Sequence, residues 1–237
     1  MLHPNDDIIE CNEAKYLGVI FDNRLKFEKQ IHTITSKVNR MIGILWKCKD
    51  LPLSAKLTIY HSLVASYLNY GILIWGSELA KNLSVNYSLE HVPKNLSRLN
   101  VAHNKIIRAI NGSCKYNKET GIVTHTAPIL KKLNILNLNS IYYLHLSLFA
   151  YDCVITKDLP LLFTDYLKNT SNIYNSRACD HDIVIKPTEL ENTCRSIRIA
   201  SARMWNLIPI EIRKINYSRN VFKSKVKDWL ISKYILE

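Results

Sequence analysis

The chain has 237 residues, of which 47% are hydrophobic and 22% are charged. This balance is typical of a globular protein with a sizeable core and excludes an intrinsically disordered chain. Lysine and arginine outnumber aspartate and glutamate by 32 to 20, so the formal net charge is +12. A charge of this sign favours a polyanionic partner such as nucleic acid, although a basic protein without such a partner can have the same composition.

Three sequence features indicate where the protein resides. The six cysteines are scattered without a CxxC pair, which is typical of reduced thiols in a reducing compartment. The first residues lack a charged start followed by an apolar run, so we expect no secretory signal. The longest apolar stretches are too short, or too often interrupted by polar residues, to span a bilayer. We therefore expect an intracellular protein, cytoplasmic or nuclear, that does not engage a membrane.

A hairpin and a long helix are predicted near the start of the chain. The β-branched and aromatic run from Tyr16 to Phe21 predicts one strand, and residues 24–27 predict a short second strand, with the turn at Asp22. Apolar residues then recur at helical spacing over 27–48 and predict the first helix. This stripe gives the helix one apolar face and leaves a polar face opposite.

Two further helices are predicted before residue 112. Ser54 is expected to cap the second helix, which runs towards Trp75 and is apolar nearly all round in its second half. We therefore expect it to be the central core helix. Residues 77–95 are rich in asparagine and serine and are predicted to form a loop. The third helix, over 96–111, is expected to end at Gly112, because glycine tolerates the left-handed conformation that often follows a helix.

The second half of the chain is also predicted to be mainly helical. Helices are expected over 129–133, 138–156, 196–206 and 209–213. A boundary lies at 157–160, β-branched residues predict a strand over 182–187, and Ser218 is expected to cap a last helix. The predicted fold class is therefore mainly α: a helical bundle preceded by a short β-hairpin, with a minor β element near residues 182–187.

Four short sequence blocks follow one another along the chain. They are Lys15 to Asp22 with Leu25 and Phe27, Tyr70-Gly71 with Trp75-Gly76, Leu99 to Arg108, and Met204 to Pro209 with Ile212-Arg213 and Ser218 to Lys225. Together they resemble the region from the palm edge to the C-terminus in reverse transcriptases of non-LTR retrotransposons, which are LINE-type and jockey-like elements. In the third block, His103 stands where the family usually has glutamine. Asn175 and Arg177 resemble a further short motif before the last block. The blocks are short, and their common order over nearly the whole chain makes the resemblance specific.

The resemblance implies three parts of the chain. Residues 1–27 would be a remnant hairpin of the palm edge, residues 28–156 a helical thumb-like domain, and residues 157–237 a C-terminal connection region with terminal helices. The family's metal-binding aspartate pair lies in a palm hairpin, and Asp6-Asp7 lacks the flanking strands of such a hairpin. A two-metal polymerase needs carboxylates that converge on Mg²⁺.

We therefore expect a truncated RNA-directed DNA polymerase that is inactive alone and has no catalytic or metal-binding residues of its own. A Mg²⁺ cofactor is implied only for the full-length polymerase. The missing palm and fingers would be its protein partners, and the expected ligand is RNA or an RNA–DNA duplex, bound with low specificity.

One face of the first predicted helix is a candidate nucleic-acid-binding surface. Its cations lie at helical spacing opposite the apolar stripe, where they could neutralise phosphates, and a glycine among them would let a sugar-phosphate backbone approach closely. Two cations on the outer side of the third predicted helix join the set. The candidate residues are Lys29, Arg40, Gly43, Lys47, Lys105 and Arg108. A solvated helix face without a ligand would show the same pattern.

Other patterns favour ordinary structural roles. The lysines of the last helix are typical of a solubilising surface, the four tryptophans are interpreted as core anchors, and Cys179, His181 and Cys194 lack the paired spacing of a zinc site. Two alternatives remain for the whole chain. One is a helical protein–protein interaction module, which an open apolar edge over 16–21 would favour. The other is a transposon remnant without a function.

Overall fold

The computed structural model describes residues 11–83, 91–113, 115–116, 125–156, 182–183, 185, 196–213 and 217–233. The first half of the chain contains β1 (Glu13–Tyr16), β2 (Val19–Asp22), α1 (Glu28–Lys47), α2 (Leu53–Ile59), one turn of π-helix that we call a π-turn (Tyr60–Val64), α3 (Ala65–Asn69), α4 (Ile72–Trp75), a 3₁₀ helix (Ser77–Leu83) and α5 (Ser97–Asn111). The second half contains α6 (Ala127–Leu133), α7 (Leu138–Tyr151), a second π-turn (Asp152–Thr156), α8 (Ile197–Leu207), α9 (Ile210–Arg213) and α10 (Arg219–Ser232). The prediction of a mainly α fold that begins with a β-hairpin is confirmed.

The hairpin turn lies earlier in the chain than the sequence predicted. β1 and β2 are antiparallel, with Tyr16 opposite Val19, so that Leu17 and Gly18 form the turn. Both turn residues have positive φ angles, 45° and 81°, as a two-residue turn matched to the twist of the strands requires. The predicted turn residue, Asp22, instead ends β2. The prediction was wrong because β1 lies in a polar stretch that contains no β-branched residue.

The first and third predicted helices are confirmed as α1 and α5, which pack against each other. The apolar stripe of α1 is buried, with Val38 at its centre, and α5 buries Leu99 and Ile106. α5 ends at Gly112, whose φ is 68° and whose N–H donates to the carbonyl of Ala109 at 3.3 Å. Because the two helices bury their apolar faces, their polar faces remain on the outside.

The second predicted helix is neither continuous nor central. A π-turn separates α2 from α3, and the chain leaves helical geometry at Tyr70 and Gly71 before α4 begins. Gly71 has a φ of 63°, a left-handed conformation that glycine adopts without strain. Leu63 and Ile74 are 40% and 43% exposed, so the segment is amphipathic and not buried all round.

Neither predicted cap residue uses its side chain as a cap. α2 begins directly after Pro52, so Ser54 lies inside the first turn. Ser218 does precede α10, but its side chain makes no capping hydrogen bond. α7 has a side-chain cap, in which Asn137 Oδ1 accepts a hydrogen bond from the backbone N–H of Ser140 at 2.8 Å.

α7 is the central core helix. Twelve of its 14 residues are buried. It is covered by α3 and α4 from the first half of the chain and by α8 and α10 from the second half. A helix with neighbours on several sides buries most of its circumference, which explains why its polar residues are buried too. Ser147, for example, donates its hydroxyl to the Tyr143 carbonyl at 2.7 Å.

Side-chain contacts fix the C-terminal helices. Asn206 on α8 accepts a hydrogen bond from the Ile183 N–H at 2.9 Å and donates one to the Ile183 carbonyl at 3.0 Å. Arg213 on α9 is almost fully buried and pairs with Asp182, at 2.6 Å from Nη1 to Oδ1. Of the predicted strand over 182–187, Ile183 forms a single β-bridge, and residues 184, 186 and 187 lie outside the described residues.

One cluster of buried apolar side chains extends from Val19 in the hairpin to Ile231 in α10. It contains residues from all three predicted parts of the chain, and the boundaries between those parts stay a prediction. Among the described residues, no helix is both long enough and apolar enough to cross a membrane. The predicted features at 175–181 and at 194 lie outside the described residues.

Candidate nucleic-acid interface

The outer side of α1 carries four of the six candidate residues. Lys29, Arg40, Gly43 and Lys47 are all exposed, and the opposite side of the helix packs on α5 and β2. We refer to these four residues as the α1 basic face. Arg40 and Lys47 are seven positions apart, which corresponds to about 10 Å along a helix that rises about 1.5 Å per residue.

The cations of the α1 basic face differ in their partners. The ammonium group of Lys29 forms an ion pair with Glu13 of β1, so its charge is partly neutralised within the protein. Arg40 and Lys47 make no ion pair with any residue in the described part of the chain. These two side chains therefore keep their charge for an external anion.

Gly43 is open to its surroundings on the α1 basic face. A Cβ atom built at this position would have no heavy atom within 4 Å. Its backbone is helical, so neither packing nor backbone conformation requires a glycine here. Glycine inside a helix costs about 1 kcal/mol relative to alanine. What it provides in return is an unobstructed patch of helix surface.

The two candidate residues on α5 have different environments. Lys105 is exposed and forms no ion pair with another described residue. Arg108 is half-buried and already interacts with groups of the protein. Burial lowers the pKa of its guanidinium group. The structure therefore presents Lys105 on the surface and holds Arg108 partly within it.

Asp22, from the first sequence block, fixes the start of α1. Its carboxylate accepts hydrogen bonds from the backbone N–H groups of Arg24, Lys26 and Phe27. Burial alone would raise the pKa of Asp22, but these backbone donors outweigh it and hold the pKa below its usual value of 3.8. Gln30 in the first turn of α1 also accepts a hydrogen bond from the Ile20 N–H at 3.1 Å. The hairpin thus determines where the α1 basic face begins.

The buried side of α5 carries His103, which stands in place of the glutamine usual in the third block. It is fully buried, and its Nε2 atom shares a hydrogen bond of 2.9 Å with the Tyr60 hydroxyl. Burial lowers the pKa of His103 to about 4, so the ring is neutral at pH 7. It therefore adds no charge to a phosphate site and instead joins α5 to the π-turn that contains Tyr60.

The structure brings the first two sequence blocks together. The Tyr70 hydroxyl donates to the Leu17 carbonyl in the hairpin turn. A Cβ atom on Gly71 would lie 3.1 Å from a methyl group of Val19, so the glycine permits this close packing. Trp75 Nε1 donates to the Tyr70 carbonyl at 2.8 Å and braces the break between α3 and α4.

An apolar surface remains exposed where these two blocks meet. Tyr16, Leu17 and Tyr70 are 67%, 73% and 57% exposed, and we refer to them as the hairpin patch. In the described residues β1 pairs only with β2, so the outer edge of β1 carries no further strand there. An exposed strand edge beside apolar side chains is typical of a protein contact.

Two of the four cations of α10, Arg219 and Lys225, contact neighbouring groups of the protein. Arg219 pairs with Asp152 through two hydrogen bonds, at 2.8 and 2.9 Å. The hydrogen bond to this carboxylate raises the pKa of Arg219. Lys225 lies over the Tyr217 ring, 5.3 Å from its centroid. These contacts agree with the interpretation of the last helix as a structural and solubilising surface.

Trp46 is exposed, which contradicts its interpretation as a core anchor. Trp75 and Trp205 are buried and Trp229 is partly buried, as expected, but Trp46 is 51% exposed. It follows Leu45, the last residue of the apolar stripe, so it points about 100° away from that stripe. The helical period alone could have placed this tryptophan on the outside.

Several curated proteins are similar to this chain. The probable RNA-directed DNA polymerase from transposon X-element of Drosophila melanogaster is 34% identical over 105 residues, which are 43% of this chain and 10% of the relative. The probable RNA-directed DNA polymerase from transposon BS of the same organism is 33% identical over 109 residues, 44% of this chain and 10% of the relative. The RNA-directed DNA polymerase from mobile element jockey is 29% identical over 117 residues, 47% of this chain and 11% of the relative.

These similarities confirm the resemblance to polymerases of non-LTR retrotransposons. The chain spans about a tenth of the length of these curated relatives. No protein-family model matches the chain, and no solved structure matches it significantly.

Proposed function

We propose that this chain, which is related to the RNA-directed DNA polymerases of non-LTR transposons, supplies a helical surface that binds template–primer nucleic acid without reading its sequence. The α1 basic face would make the contacts, whereas Lys105 lies on α5, which packs against the other side of α1. The proposal is supported by the similarity of the chain to RNA-directed DNA polymerases and by Arg40 and Lys47, the exposed cations of this face that form no ion pair with another described residue.

The observation that carries the proposal is the charge of the exposed side of α1. The stretch from residue 29 to residue 49 contains five lysines and arginines and no aspartate or glutamate. Lys29 pairs with Glu13 and Lys37 lies over the Tyr67 ring. The other three, Arg40, Lys47 and Lys49, are exposed and form no ion pair with another described residue. Like charges on one helix repel each other and weaken it slightly, so this arrangement is costly without a counter-charge. A nucleic-acid backbone would provide that counter-charge.

The spacing of the cations suits a phosphate backbone. Arg40 and Lys47 are about 10 Å apart along the helix axis, which matches about three base steps of 3.4 Å. Contacts to phosphates fix position and affinity but carry no sequence information. We therefore expect similar affinity for RNA–DNA and RNA duplexes of different sequence.

Polymerisation is not part of the role proposed for this chain. Within the described residues, no three histidine, cysteine, aspartate or glutamate side chains are grouped so that they could hold a metal ion. Binding through phosphates and lysine or arginine needs no metal. We therefore propose that binding is independent of Mg²⁺ apart from the general effect of its ionic strength.

The test is a double charge reversal on α1 with a matched control elsewhere. Arg40→Glu/Lys47→Glu should lower the affinity for a fluorescent RNA–DNA duplex about tenfold at low salt, because two phosphate contacts become repulsive. The slope of log affinity against log salt should flatten by about 2, or about 1 for each lost contact. Fluorescence anisotropy measures both quantities.

The control is Lys131→Glu/Lys223→Glu, which changes the net charge by the same amount at exposed positions of α6 and α10. It should leave the salt slope within the error of the wild type. Equal losses for the two double variants would show that net charge, and not the α1 basic face, drives binding. Unchanged affinity in the α1 variant would reject the proposal.

The hairpin patch supports a second candidate function, a contact with another polypeptide. Its three side chains are more than half exposed and adjoin an open strand edge. The partner we propose is the palm of a transposon polymerase, which is what the resemblance implies. We propose that Tyr16→Ser/Leu17→Asn weakens co-elution with a separately expressed palm segment of the jockey polymerase. Asparagine tolerates the left-handed conformation at position 17. Co-elution that survives this change would reject the contact.

A further inference from the structure

Trp46 lies at the C-terminal end of the α1 basic face with half of its surface exposed to solvent. Among the described residues, no aromatic ring or cation is stacked on its indole, and its side chain makes no hydrogen bond. An exposed tryptophan costs solubility and contributes little to the core. Its ring is therefore available to an external ligand.

The helix surface beside Trp46 is open at Gly43. Gly43 lies one turn before it, and residues three apart in a helix share one side. A Cβ atom on Gly43 would meet no heavy atom within 4 Å, so the indole does not cover the glycine. Lys47 is the next residue, about 100° further round the helix, and Arg40 lies about 9 Å back along the axis and about 120° round it. A flat ring, a bare stretch of helix and Lys47 therefore lie close together, and Arg40 lies further back on the α1 basic face.

The turn that follows Trp46 is held in place by a contact with α2. Lys56 on α2 is 8% exposed, and its ammonium group donates to the Lys49 carbonyl at 2.6 Å. This contact ties the turn after α1 to α2, because Lys49 lies two residues beyond the end of α1. The platform that carries Trp46 is thus anchored and needs little rearrangement on binding.

The charge of this region favours a nucleic acid over a protein as the ligand. Exposed apolar residues nearby, Ile44, Leu51 and Leu53, would also suit a protein contact. However, the cores of protein interfaces are depleted of charged residues, lysine in particular. Lys47 and Lys49 follow Trp46 closely in sequence, and Asp50 is the first acidic residue after Glu28. A base with its attached phosphate matches a ring with adjoining cations.

We infer that Trp46 is a stacking platform for an unpaired nucleobase of a strand whose phosphates lie along Arg40 and Lys47. This inference rests on the proposed function and adds a preference to it. Phosphate contacts alone would not distinguish a single strand from a duplex. A stacking tryptophan favours a strand with unpaired bases, because a base inside a duplex has no free face.

The experiment compares three probes that differ in their bases. They are an oligothymidylate of about 12 nucleotides, a blunt duplex of the same length and inorganic polyphosphate. Trp46→Ala should weaken oligothymidylate binding about tenfold, within the range measured for base–aromatic stacking. Binding of the duplex should change less, and binding of polyphosphate should not change. Trp46→Phe should restore most of the affinity, since phenylalanine also stacks.

Tryptophan fluorescence gives a second measurement. Oligothymidylate should quench the wild-type emission more than polyphosphate does, and Trp46→Phe should remove this difference. Because the ring is exposed, the variants should fold, which circular dichroism and thermal melting check. An equal loss of affinity for all three probes would overturn the stacking role, and so would an unchanged affinity for oligothymidylate.

Two further outcomes separate this inference from its premise. If Arg40→Glu/Lys47→Glu weakens all three probes while Trp46→Ala weakens none, the stacking inference fails and the proposed function stands. If Arg40→Glu/Lys47→Glu weakens none of them, the proposed function fails. If Trp46→Ala instead abolishes self-association in sedimentation runs and leaves oligothymidylate binding intact, the indole belongs to a contact between two copies of the chain.

Discussion

The outer sides of α1 and α10 are both rich in cations, but the two helices use them differently. On α10, Arg219 is paired with Asp152 and Lys225 lies over an aromatic ring. On α1, Arg40 and Lys47 have no ion-pair partner in the described part of the chain. Each helix also has one ion-paired and one ring-bound cation, since Lys29 of α1 pairs with Glu13 and Lys37 lies over the Tyr67 ring. What separates the two helices is therefore what accompanies the remaining cations, because on α1 these lie beside an exposed glycine and an exposed tryptophan.

On both helices, only the cations without a partner in the protein are candidates for binding a phosphate. A lysine over a ring, or an arginine bonded to a carboxylate, must give up that contact before it can bind a phosphate. The exposed glycine and tryptophan of α1 have no counterpart on α10. We therefore expect changes on α10 to alter stability, and changes on α1 to alter binding.

The largest effect is expected from removing the aromatic support of α10. Phe222 is 1% exposed and stacks on Tyr151, with ring centroids 4.6 Å apart. Phe222→Ala should lower the free energy of unfolding by about 3–5 kcal/mol, because it removes buried surface and leaves a cavity. Urea unfolding followed by circular dichroism measures this change.

The matched control for that experiment is Trp46→Ala on α1, which also removes a large ring. Its cost should stay below about 1 kcal/mol, because half of the ring is already in water. If the two variants were equally destabilised, the contrast between a structural α10 and a binding α1 would be lost.

Acid should weaken the contact between α5 and the π-turn that contains Tyr60. Burial lowers the pKa of His103 to about 4, whereas an unfolded histidine titrates near 6.5. The unfolded state therefore takes up a proton first. This contribution to stability is fully present above pH 6.5 and is lost as the pH falls towards 4, by about 3 kcal/mol in total. Urea unfolding across this pH range measures the loss.

His103→Gln isolates that titration. Glutamine does not titrate and can still hydrogen-bond the Tyr60 hydroxyl. The variant should lose less stability than the wild type between pH 6.5 and 4.5. His61 and His145 also have lowered pKa values, chiefly through burial, but they titrate in both proteins and cancel in the comparison. Parallel pH profiles would show that His103 is not the group responsible.

Gly43→Ala tests whether the open patch on α1 serves binding. Alanine fits the helical backbone and the empty space, so the free energy of unfolding should rise by about 0.5–1 kcal/mol. Affinity for the RNA–DNA duplex should nevertheless fall, because the added methyl group keeps the backbone away. Thermal melting and anisotropy give the two values. A more stable protein with unchanged affinity would remove Gly43 from the interface.

The smallest effect is expected from Arg219→Met on α10. Its ion pair with Asp152 is half exposed and screened by solvent, so the free energy of unfolding should fall by only about 0.5 kcal/mol. Duplex affinity at low salt should stay within the range of the control variants. A loss of affinity as large as that of Arg40→Glu/Lys47→Glu would mean that α10 shares in binding.

Periodicity predicted the helices that have one clear apolar face. α1 and α5 lie within one residue of their predicted ends, because a single stripe of apolar residues faces a single neighbour. The region from Ser54 to Trp75 was predicted as one continuous helix, since its apolar residues are too frequent to define a stripe. The π-turn and the break at Gly71 depend on tertiary contacts with α5 and the hairpin, which local sequence does not reveal.

For the candidate site, the sequence predicted which side chains are exposed, but it did not predict which of them already have a partner in the protein. It placed Arg40, Gly43 and Lys47 on the outside, where the structure has them. It did not predict the pairing of Lys29 with Glu13, because that contact depends on where the hairpin turn lies. It also missed the exposure of Trp46, since residue type was given more weight than position on the helix.

The central position of α7 has a consequence for how the chain is made. Asp152, just after α7, and Arg219, the first residue of α10, are 67 residues apart in sequence and in contact in space. On the ribosome, α7 emerges before the helices that cover its second flank exist. Its tyrosine- and leucine-rich surface must then stay uncovered for several seconds at ordinary rates of synthesis, about 5–20 residues per second. A holding chaperone would have most to protect during that interval.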